Sequence, residues 1–529
     1  MDKITEQIKI KGFSKVWVSD MENGNFRNPI LFADYSDPDV IKVGEDFFLI
    51  SSSFNCTPAI PLLHSKDLVN WSIVNYIVDR LPAPFYDKPQ YGLGVYAPSL
   101  RYHDNKFWVF YPDPDAGIYM TYTEDPFGKW QEPVMIKEAK GWIDPYPFWD
   151  DDGKAYLINA FAKSRLGFSS VINISPMKPD GTGLLGEGTI IFDGNKNHPY
   201  IEGPKVYKRE GYYYIFAPAG GVEKGWQTVL RSKNIYGPYE DKIVLRQGET
   251  NINGPHQGGL VELESGEEWF VHFQDMKEYG RILHLQPVTW KNHWPIIGED
   301  INNDGIGQPI YEMKKPDVGR DYTACVPDTS DDFISDSLGL QWQWNANYKE
   351  HWYTLNERKD YLRLYAVNDM LNWGNTIWHA PNLLLQKFPA PSFTATTKLQ
   401  LNSSEGNIKA GLIIGGTQCF YVAVYKYKDS LKLGYFKAYE EDGKRVESEL
   451  DTHSLYDNEV ILRVSVKEGA LCSYSYSLDG ESFISIGESF KASKTLWSGA
   501  KLGVFCINPS KTASNSYADF DWFLVEEDK

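Results

Sequence analysis

The chain has 529 residues, of which 42% are hydrophobic and 15% aromatic, and its formal net charge is −18. This composition is typical of a globular protein with a large core and argues against disorder. The negative charge disfavours nucleic acid and anionic membranes as partners, because both attract lysine and arginine, whereas a neutral ligand such as a sugar is compatible with it.

The N-terminus and the cysteines bear on the cellular compartment. The first twenty residues are charged throughout and lack an apolar segment, so they predict no signal peptide. No window approaches eighteen uninterrupted apolar residues, so we expect no membrane span. The cysteines are far apart and form no CxxC pair, which favours free thiols in a reducing compartment. We therefore expect a cytoplasmic protein, or a secreted one if a signal peptide has been removed.

Short aromatic strands recur through the first 310 residues, each after a turn signal. They are DFFLI at 46–50, KFWVF at 106–110, KAYLI at 154–158, YYYIF at 212–216 and EWFVH at 268–272. The spacing of roughly fifty to sixty residues accommodates a four-stranded blade. The sequence therefore predicts an all-β fold, with a five-bladed β-propeller over residues 26–310. Residues 1–25 are expected to form an N-terminal extension that packs on it.

A proline precedes each of these repeat strands, at a position where its missing N–H is not needed by the sheet. In a propeller the first strand of each blade is the innermost, so equivalent positions converge on the central channel. The residues beside these prolines are Asp37, Tyr96, Asp144, Glu202 and His256. The sequence therefore predicts three acids and a histidine around one axial pocket.

Three carboxyl groups in one pocket suit the hydrolysis of a glycosidic bond. One serves as general acid and a second as general base, and inversion requires a gap of roughly 6.5–9.5 Å for the attacking water. A third negative charge keeps the general acid protonated near neutral pH. Acids from three blades fit inverting hydrolysis better than a metal cage.

The blade motifs resemble those of a known family. NPILFADYSDPDV, GVYAPSLRYHDNKFWVFY, GWIDPYPFWDDDGKAYL, IEGPKVYKREGYYYIFAPAGG and GRILHLQPVTW resemble, in order, the motifs of glycoside hydrolase family 43. That family comprises five-bladed propeller enzymes, including β-xylosidases and α-L-arabinofuranosidases. On this resemblance Asp37 is the general base, Glu202 is the general acid, and Asp144 raises the pKa of that acid and orients it.

The resemblance also implies residues that bind the substrate. Arg281 contacts the sugar and the acids, and Phe54 and Tyr96 wall the sugar subsite. Tyr96 stands where the family usually has tryptophan. No cofactor is expected to be required, although the resemblance allows a structural calcium ion at the propeller centre, held through water beside His256.

Three further residues are weighed from their positions. Trp142, two residues before Asp144, either packs in its blade or stacks on substrate. His284 is a candidate for the pocket rim because it lies close to Arg281 in sequence. Asp39, an extra acid in the first motif, is expected to point away from the channel, because residues two apart share a strand face only in a regular strand.

A second domain follows the propeller. Residues 311–330 are poor in apolar residues and predict a linker. Residues 331–529 contain alternating strands and Asp-Gly hairpin signals, which predict a β-sandwich. This region resembles the jelly-roll-like domain of family 43 β-xylosidases. It either caps the pocket or binds polysaccharide independently, and we favour capping because no row of exposed tryptophans is evident.

We expect an exo-acting inverting glycosidase that releases xylose from the non-reducing ends of xylo- or arabinoxylo-oligosaccharides. Alternatives on the same propeller are an α-L-arabinofuranosidase and an arabinan- or galactan-degrading hydrolase. An alternative of another class is a non-catalytic sugar-binding propeller. The sequence leaves the oligomeric state open, a homo-oligomer included.

Overall fold

The computed structural model describes residues 16–403, 408–428, 430–512 and 514–528, and most of the regular structure is β-strand. Residues 1–15 of the expected N-terminal extension lie outside the described residues. Within the described ranges no helix is long and apolar enough to cross a membrane. The helical pieces are Lys163–Leu166, Phe85–Asp87, Lys277–Tyr279, Glu350–Trp352, Asp369–Asn372 and Ile377–His379.

Strands β2 to β21 form five four-stranded antiparallel sheets, one for each blade, in chain order. Blade 1 contains β2 to β5: Asp39–Val43, Asp46–Ile50, Ala59–Ser65 and Trp71–Val78. Blade 2 contains β6 to β9: Ser99–His103, Lys106–Asp113, Gly117–Thr123 and Val134–Glu138. Blade 3 contains β10 to β13: Trp142–Trp149, Ala155–Phe161, Val171–Met177 and Thr189–Asp193. Blade 4 contains β14 to β17: Lys205–Arg209, Tyr212–Ala219, Trp226–Ser232 and Glu240–Leu245. Blade 5 contains β18 to β21: His256–Glu262, Glu268–Asp275, Arg281–Lys291 and Trp294–Ile297.

The innermost hairpins of the blades form where the sequence supplies turn residues. Asp104 and Asn105 both have positive φ, at 50° and 57°, between β6 and β7. Glu210 and Gly211 have φ of 50° and 78° between β14 and β15. Two consecutive residues with positive φ match the right-handed twist of a two-residue hairpin. The aromatic strands that follow these turns are buried, and apolar clusters fill the spaces between blades.

A small two-stranded sheet connects the chain before blade 1 with the predicted linker after blade 5. Strand β1 (Asn25–Arg27) pairs with β22 (Glu312–Lys314), which lies in the predicted linker. Trp17 packs on Phe32 with 5.3 Å between the ring centroids, and its Nε1 donates a hydrogen bond to the carbonyl of Pro29. The described part of the N-terminal extension therefore packs on the propeller.

The C-terminal region is a β-sandwich of two seven-stranded sheets. One sheet has the order β23-β26-β35-β28-β29-β30-β31 and the other β24-β25-β36-β27-β32-β33-β34. Strands β23 to β29 are Gln343–Trp344, Tyr353–Thr354, Leu362–Tyr365, Leu384–Lys387, Phe393–Asn402, Lys409–Gly415 and Cys419–Tyr427. Strands β30 to β36 are Ser430–Glu441, Lys444–Leu455, Glu459–Lys467, Leu471–Ser477, Ile484–Lys491, Lys501–Ile507 and Tyr517–Glu526.

The two domains share an apolar core. The cluster that fills the sandwich also contains Phe32, Tyr279 and Ile282 of the propeller. Thr57 of blade 1 exchanges two backbone hydrogen bonds with Trp344 of the sandwich, at 3.1 and 2.6 Å. Because apolar burial and backbone pairing cross this boundary, the sandwich loops are held against the propeller.

Candidate active site

Asp37 stands immediately before blade 1, and three donors hold its carboxylate. The hydroxyls of Ser52 and Ser36 donate to its Oδ2 at 2.6 and 3.0 Å, and Nη1 of Arg281 donates to its Oδ1 at 2.9 Å. Its φ of 54° is uncommon for a residue with a side chain, and such strain concentrates at functional sites. The carboxylate is therefore buried in a single fixed orientation.

Asp144 lies in β10, the innermost strand of blade 3, with a φ of 55° that matches that of Asp37. The register of β10 against β11 shifts at this point, between Ile143 and Tyr146. The backbone N–H of Gly203 donates to Asp144 Oδ2 at 2.7 Å. The same backbone distortion thus presents an aspartate from two different blades.

The pKa of Asp144 is raised to about 8, first by burial and then by the negative charge of Glu202, with a further contribution from Asp37. The bond from Gly203 opposes this rise. The charges of Glu202 and Asp37 both act on Asp144, and the N–H of Gly203, next to Glu202 in the chain, bonds Asp144, so the three carboxyl groups lie near one another at the propeller axis. The structure thus brings together the three acids that the sequence placed on three blades.

Glu202 is the most open of the three acids, with 33% of its side chain exposed against 9% for Asp37. It lies just before blade 4, and its Oε1 is 2.9 Å from Nε2 of the buried His256 of blade 5. This contact with the imidazole holds one carboxyl oxygen of Glu202 in place. Glu202 is thereby suited to meet a ligand that enters from solvent.

Arg281 begins β20 of blade 5 and connects the acids to the pocket wall. Besides Asp37, its Nη1 contacts the hydroxyl of Ser36 at 2.6 Å. Its guanidinium lies over the ring of Phe273, 4.8 Å from the centroid. A buried guanidinium between a carboxylate and an aromatic face is a rigid group for binding hydroxyls.

Phe54 and Tyr96 lie edge to face, with 5.3 Å between their centroids, where the sequence placed the sugar wall. Phe54 and Val95 exchange two backbone hydrogen bonds, at 3.0 and 3.1 Å. Gly94, with φ of 94°, permits this approach, because a Cβ there would lie 2.3 Å from the carbonyl oxygen of Phe54. These contacts hold the two aromatic rings in this edge-to-face arrangement.

Trp497 of the sandwich was missed by the sequence reading. Its ring is 6.5 Å from that of Tyr96 and 6.0 Å from the guanidinium carbon of Arg281. It stands in the loop between β34 and β35, where no repeat or motif of the propeller could have indicated it. With 38% of its surface exposed, Trp497 places an aromatic ring of the sandwich beside Tyr96 and Arg281, and the capping role of the sandwich stays a prediction.

Two other predicted residues lie apart from this arrangement. Trp142 packs edge to face on Phe161, 5.7 Å between centroids, and against the core cluster of blades 2 and 3, which favours the blade-packing alternative. His284 is buried and hydrogen-bonds to Gln274 at 3.0 Å. It stands three residues after Arg281 in β20, so its side chain points to the opposite face of the strand. The structure therefore does not bring His284 to the acids.

The expectation that Asp39 points away from the channel is wrong. Asp39 is fully buried, with Nη2 of Arg101 at 3.3 Å and Nζ of Lys205 at 3.6 Å from its Oδ2. Arg101 belongs to blade 2 and Lys205 to blade 4, so side chains from three blades meet near the axis. The strand alternation fails because Asp37 lies outside β2 in a left-handed conformation.

His256 and the residues around it supply few ligand atoms for a metal ion. Its Nε2 is occupied by Glu202, and its buried Nδ1 has no hydrogen-bond partner. Across the part of the chain that the structure describes, no three His, Cys, Asp or Glu side chains are grouped to hold an ion. This donor set does not fit a directly bound ion. A calcium ion held through water stays a prediction.

A five-bladed propeller that gathers three carboxyl groups, an arginine and aromatic rings at one end of its channel has the construction of a glycoside hydrolase. The chain belongs to family 43 of these enzymes. The model described as "Glycosyl hydrolases family 43" matches residues 26–295, and that described as "Beta xylosidase C-terminal Concanavalin A-like domain" matches residues 330–526.

Relatives and solved structures are similar to most of the chain. A putative beta-xylosidase of Xylanibacter ruminicola is 38% identical over 93% of this chain and 88% of its own length. A non-reducing end alpha-L-arabinofuranosidase of Bacteroides ovatus is 30% identical over 74% of this chain and 73% of its own. The crystal structure of a xylan beta-1,4-xylosidase from Bacillus halodurans is 26% identical, with a TM-score of 0.82, and covers 95% of this chain and 100% of that one.

Proposed function

We propose that this chain is an exo-acting, anomer-inverting β-xylosidase that releases xylose from the non-reducing ends of xylo-oligosaccharides. The observation that carries the proposal is the convergence of Asp37, Asp144 and Glu202, from three blades, near the propeller axis, with Trp497 of the sandwich beside Tyr96 and Arg281. A pocket of this kind admits a chain end, whereas an endo-acting enzyme requires an open cleft. The relatives named as xylosidases support the choice of sugar.

The contacts support a role for each acid. Asp37, held by Arg281 and two serines, is placed to accept a proton from the attacking water. Glu202, the most open acid, is placed to protonate the leaving oxygen. Burial and the negative charge of Glu202 raise the pKa of Asp144 to about 8, so Asp144 keeps a proton near neutral pH beside the charged groups of the site.

The surrounding side chains position the sugar. The ring pair of Phe54 and Tyr96 offers an apolar wall against which the face of a pentose can lie. Arg281 donates to Asp37 from one side and borders Trp497 on the other, so it stands between the base and the pocket mouth. Closing this volume to bulk water strengthens each polar contact with the substrate.

A second candidate activity is the removal of terminal α-L-arabinofuranosyl residues. It is favoured by the relative from Bacteroides ovatus, whose name carries that activity. The two pentoses present similar hydroxyl arrangements in different ring forms, so one pocket can accept both.

The test is hydrolysis of aryl β-xyloside and aryl α-L-arabinofuranoside, followed by product analysis on xylo- and arabino-oligosaccharides. We expect xylose as the sole small product, released with inverted configuration as followed by NMR. Products of mixed length would contradict exo action and favour the arabinan- or galactan-degrading alternative. No cleavage of either aryl glycoside would overturn the substrate assignment.

A further inference from the structure

Asp34 is a buried carboxylate at the boundary between the two domains, three residues before Asp37. Its Oδ1 accepts a hydrogen bond from the backbone N–H of Arg281 at 2.9 Å. Its Oδ2 accepts one from the backbone N–H of Gly499, also at 2.9 Å. Gly499 stands two residues after Trp497 in the same sandwich loop. One side chain therefore connects the start of β20, in blade 5, with the loop that carries the pocket tryptophan.

The backbones around Asp34 approach so closely that the arrangement has little freedom. Gly280 has φ of 77°, and a Cβ there would lie 2.3 Å from Cγ of Asp34. A Cβ on Gly499 would lie 2.5 Å from the backbone nitrogen of Gly280. The N–H of Ala500 donates to the carbonyl of Glu278 at 2.7 Å. The turn before Arg281 and the sandwich loop are thus in direct contact, with the carboxylate between them.

The sandwich also supplies the positive charge that a buried carboxylate needs. Lys387 and Lys501, both from sandwich strands, act on Asp34 electrostatically and oppose the rise in its pKa that burial causes. Lys501 is anchored in turn by a 2.8 Å contact between its Nζ and Sγ of Cys56 in the propeller. Charge complementarity across the domain boundary therefore converges on the same side chain.

We propose that Asp34 is a positioning residue for the active site. It fixes the positions of Arg281 and Trp497 relative to Asp37. The backbone of Arg281 is held on both sides, since Tyr35 N–H also donates to its carbonyl at 3.0 Å. From that position its guanidinium reaches Asp37 and lies beside the ring of Trp497. The sandwich is then a part of the sugar subsite. This role for Asp34 in catalysis rests on the proposed function.

The test compares Asp34→Asn with a matched control. An amide places N–H groups against one of the two backbone donors, so one of the two bonds must break. The control is Asp331→Asn, because Asp331 accepts the N–H groups of Phe333 and Gly339 within the sandwich, away from the pocket. For Asp34→Asn we expect kcat/KM on aryl β-xyloside to fall about 10- to 100-fold, as a displacement of about 1 Å in a catalytic arrangement does. Asp331→Asn should lower the melting temperature to a similar extent but retain kcat/KM.

A double-mutant cycle distinguishes positioning from a general loss of structure. Trp497→Ala removes one of the two groups through which Asp34 acts. The combined variant Asp34→Asn, Trp497→Ala should therefore lose less kcat/KM than the product of the two separate losses. Losses that multiply in full, or a loss for Asp34→Asn below about threefold, would overturn the proposal.

Hydrogen–deuterium exchange of the full chain supplies a readout that needs no substrate. Peptides spanning residues 278–283 and 495–500 should exchange faster in Asp34→Asn than in the unchanged protein, and at unchanged rates in Asp331→Asn. Unchanged exchange in both segments would overturn the role of Asp34. If the unchanged protein cleaves neither aryl glycoside, the proposed function fails, whereas the exchange result still decides whether Asp34 holds the two segments.

Discussion

Two buried aspartates, one in each domain, have opposite electrostatic surroundings. Asp519 in the sandwich accepts from Arg363 at 2.7 and 3.0 Å and from Arg358 at 3.0 Å. Asp144 in the propeller receives one backbone N–H, from Gly203, and faces other carboxyl groups. The sandwich acid is neutralised by cations, whereas the propeller acid is left among like charges.

This difference separates an acid that contributes to stability from one that is suited to catalysis. A buried acid paired with arginines contributes to one fixed structure. A buried acid beside other acids destabilises the fold when it ionises, and it therefore keeps its proton near neutral pH. Two of the propeller acids, Asp37 and Asp144, are held in left-handed conformations at the site, and the sandwich packs against the propeller beside them.

The largest expected effect is that of Glu202→Gln. An amide cannot protonate the leaving oxygen, so kcat/KM on an alkyl β-xyloside should fall about 10³-fold, with a smaller loss for aryl substrates whose leaving group needs no proton. Steady-state kinetics on both substrates measure this contrast. Glu447→Gln, which weakens a sandwich ion pair with Lys409, is the control and should remain active. Equal losses on both substrates would assign the general acid elsewhere.

The second prediction concerns the paired acid. Asp519→Asn leaves Arg363 and Arg358 without their shared carboxylate and should lower the free energy of unfolding by about 3 kcal/mol. Denaturant titration measures the change, and kcat/KM of the remaining folded protein should be unaltered. Undiminished stability would mean that the sandwich does not depend on this ion pair.

Asp144→Asn should change the free energy of unfolding in the opposite direction and stabilise the protein at neutral and higher pH. Because its pKa is about 8 in the folded protein and near 3.8 when unfolded, the folded state binds more protons between these values, and stability falls as pH rises through that window. Asp144→Asn removes this dependence while keeping an acceptor for Gly203. We expect it to be more stable than the unchanged protein by about 2–4 kcal/mol at pH 8, with the difference vanishing near pH 4.

Thermal unfolding across pH 4–8 tests this prediction, with Asp519→Asn as the variant that should be destabilised at every pH. A gain in stability for Asp144→Asn should accompany a large loss of activity. If Asp144→Asn is less stable than the unchanged protein at pH 8, the carboxyl group is stabilised in a way that the contacts around it do not explain.

The smallest expected effect is that of Trp497→Ala. The exposed ring contributes little to the core, so the melting temperature should hardly change, whereas kcat/KM on aryl β-xyloside should fall about tenfold through a raised KM. Tyr456→Ala is the matched control, because Tyr456 is an aromatic residue of the same domain with 96% of its surface exposed. Unchanged KM for Trp497→Ala would remove the sandwich from the sugar subsite.

Much of this protein was determined by local sequence. Turn residues such as Asp104-Asn105 and Glu210-Gly211 form the hairpins that the repeat predicts, because their backbone preferences depend on neighbours only. The prolines beside Asp37, Asp144 and Glu202 marked equivalent positions in three blades. Since closed repeats bring equivalent positions to one axis, the three acids followed from the repeat itself.

Other features were decided only by tertiary structure. Asp39 joins Arg101 and Lys205 in the channel, because the left-handed Asp37 breaks the alternation from which its direction was inferred. Trp497 reaches the pocket through a domain boundary that no periodicity describes. Side chains that meet across domains depend on how two complete folds dock, and a linear pattern carries no information on that distance.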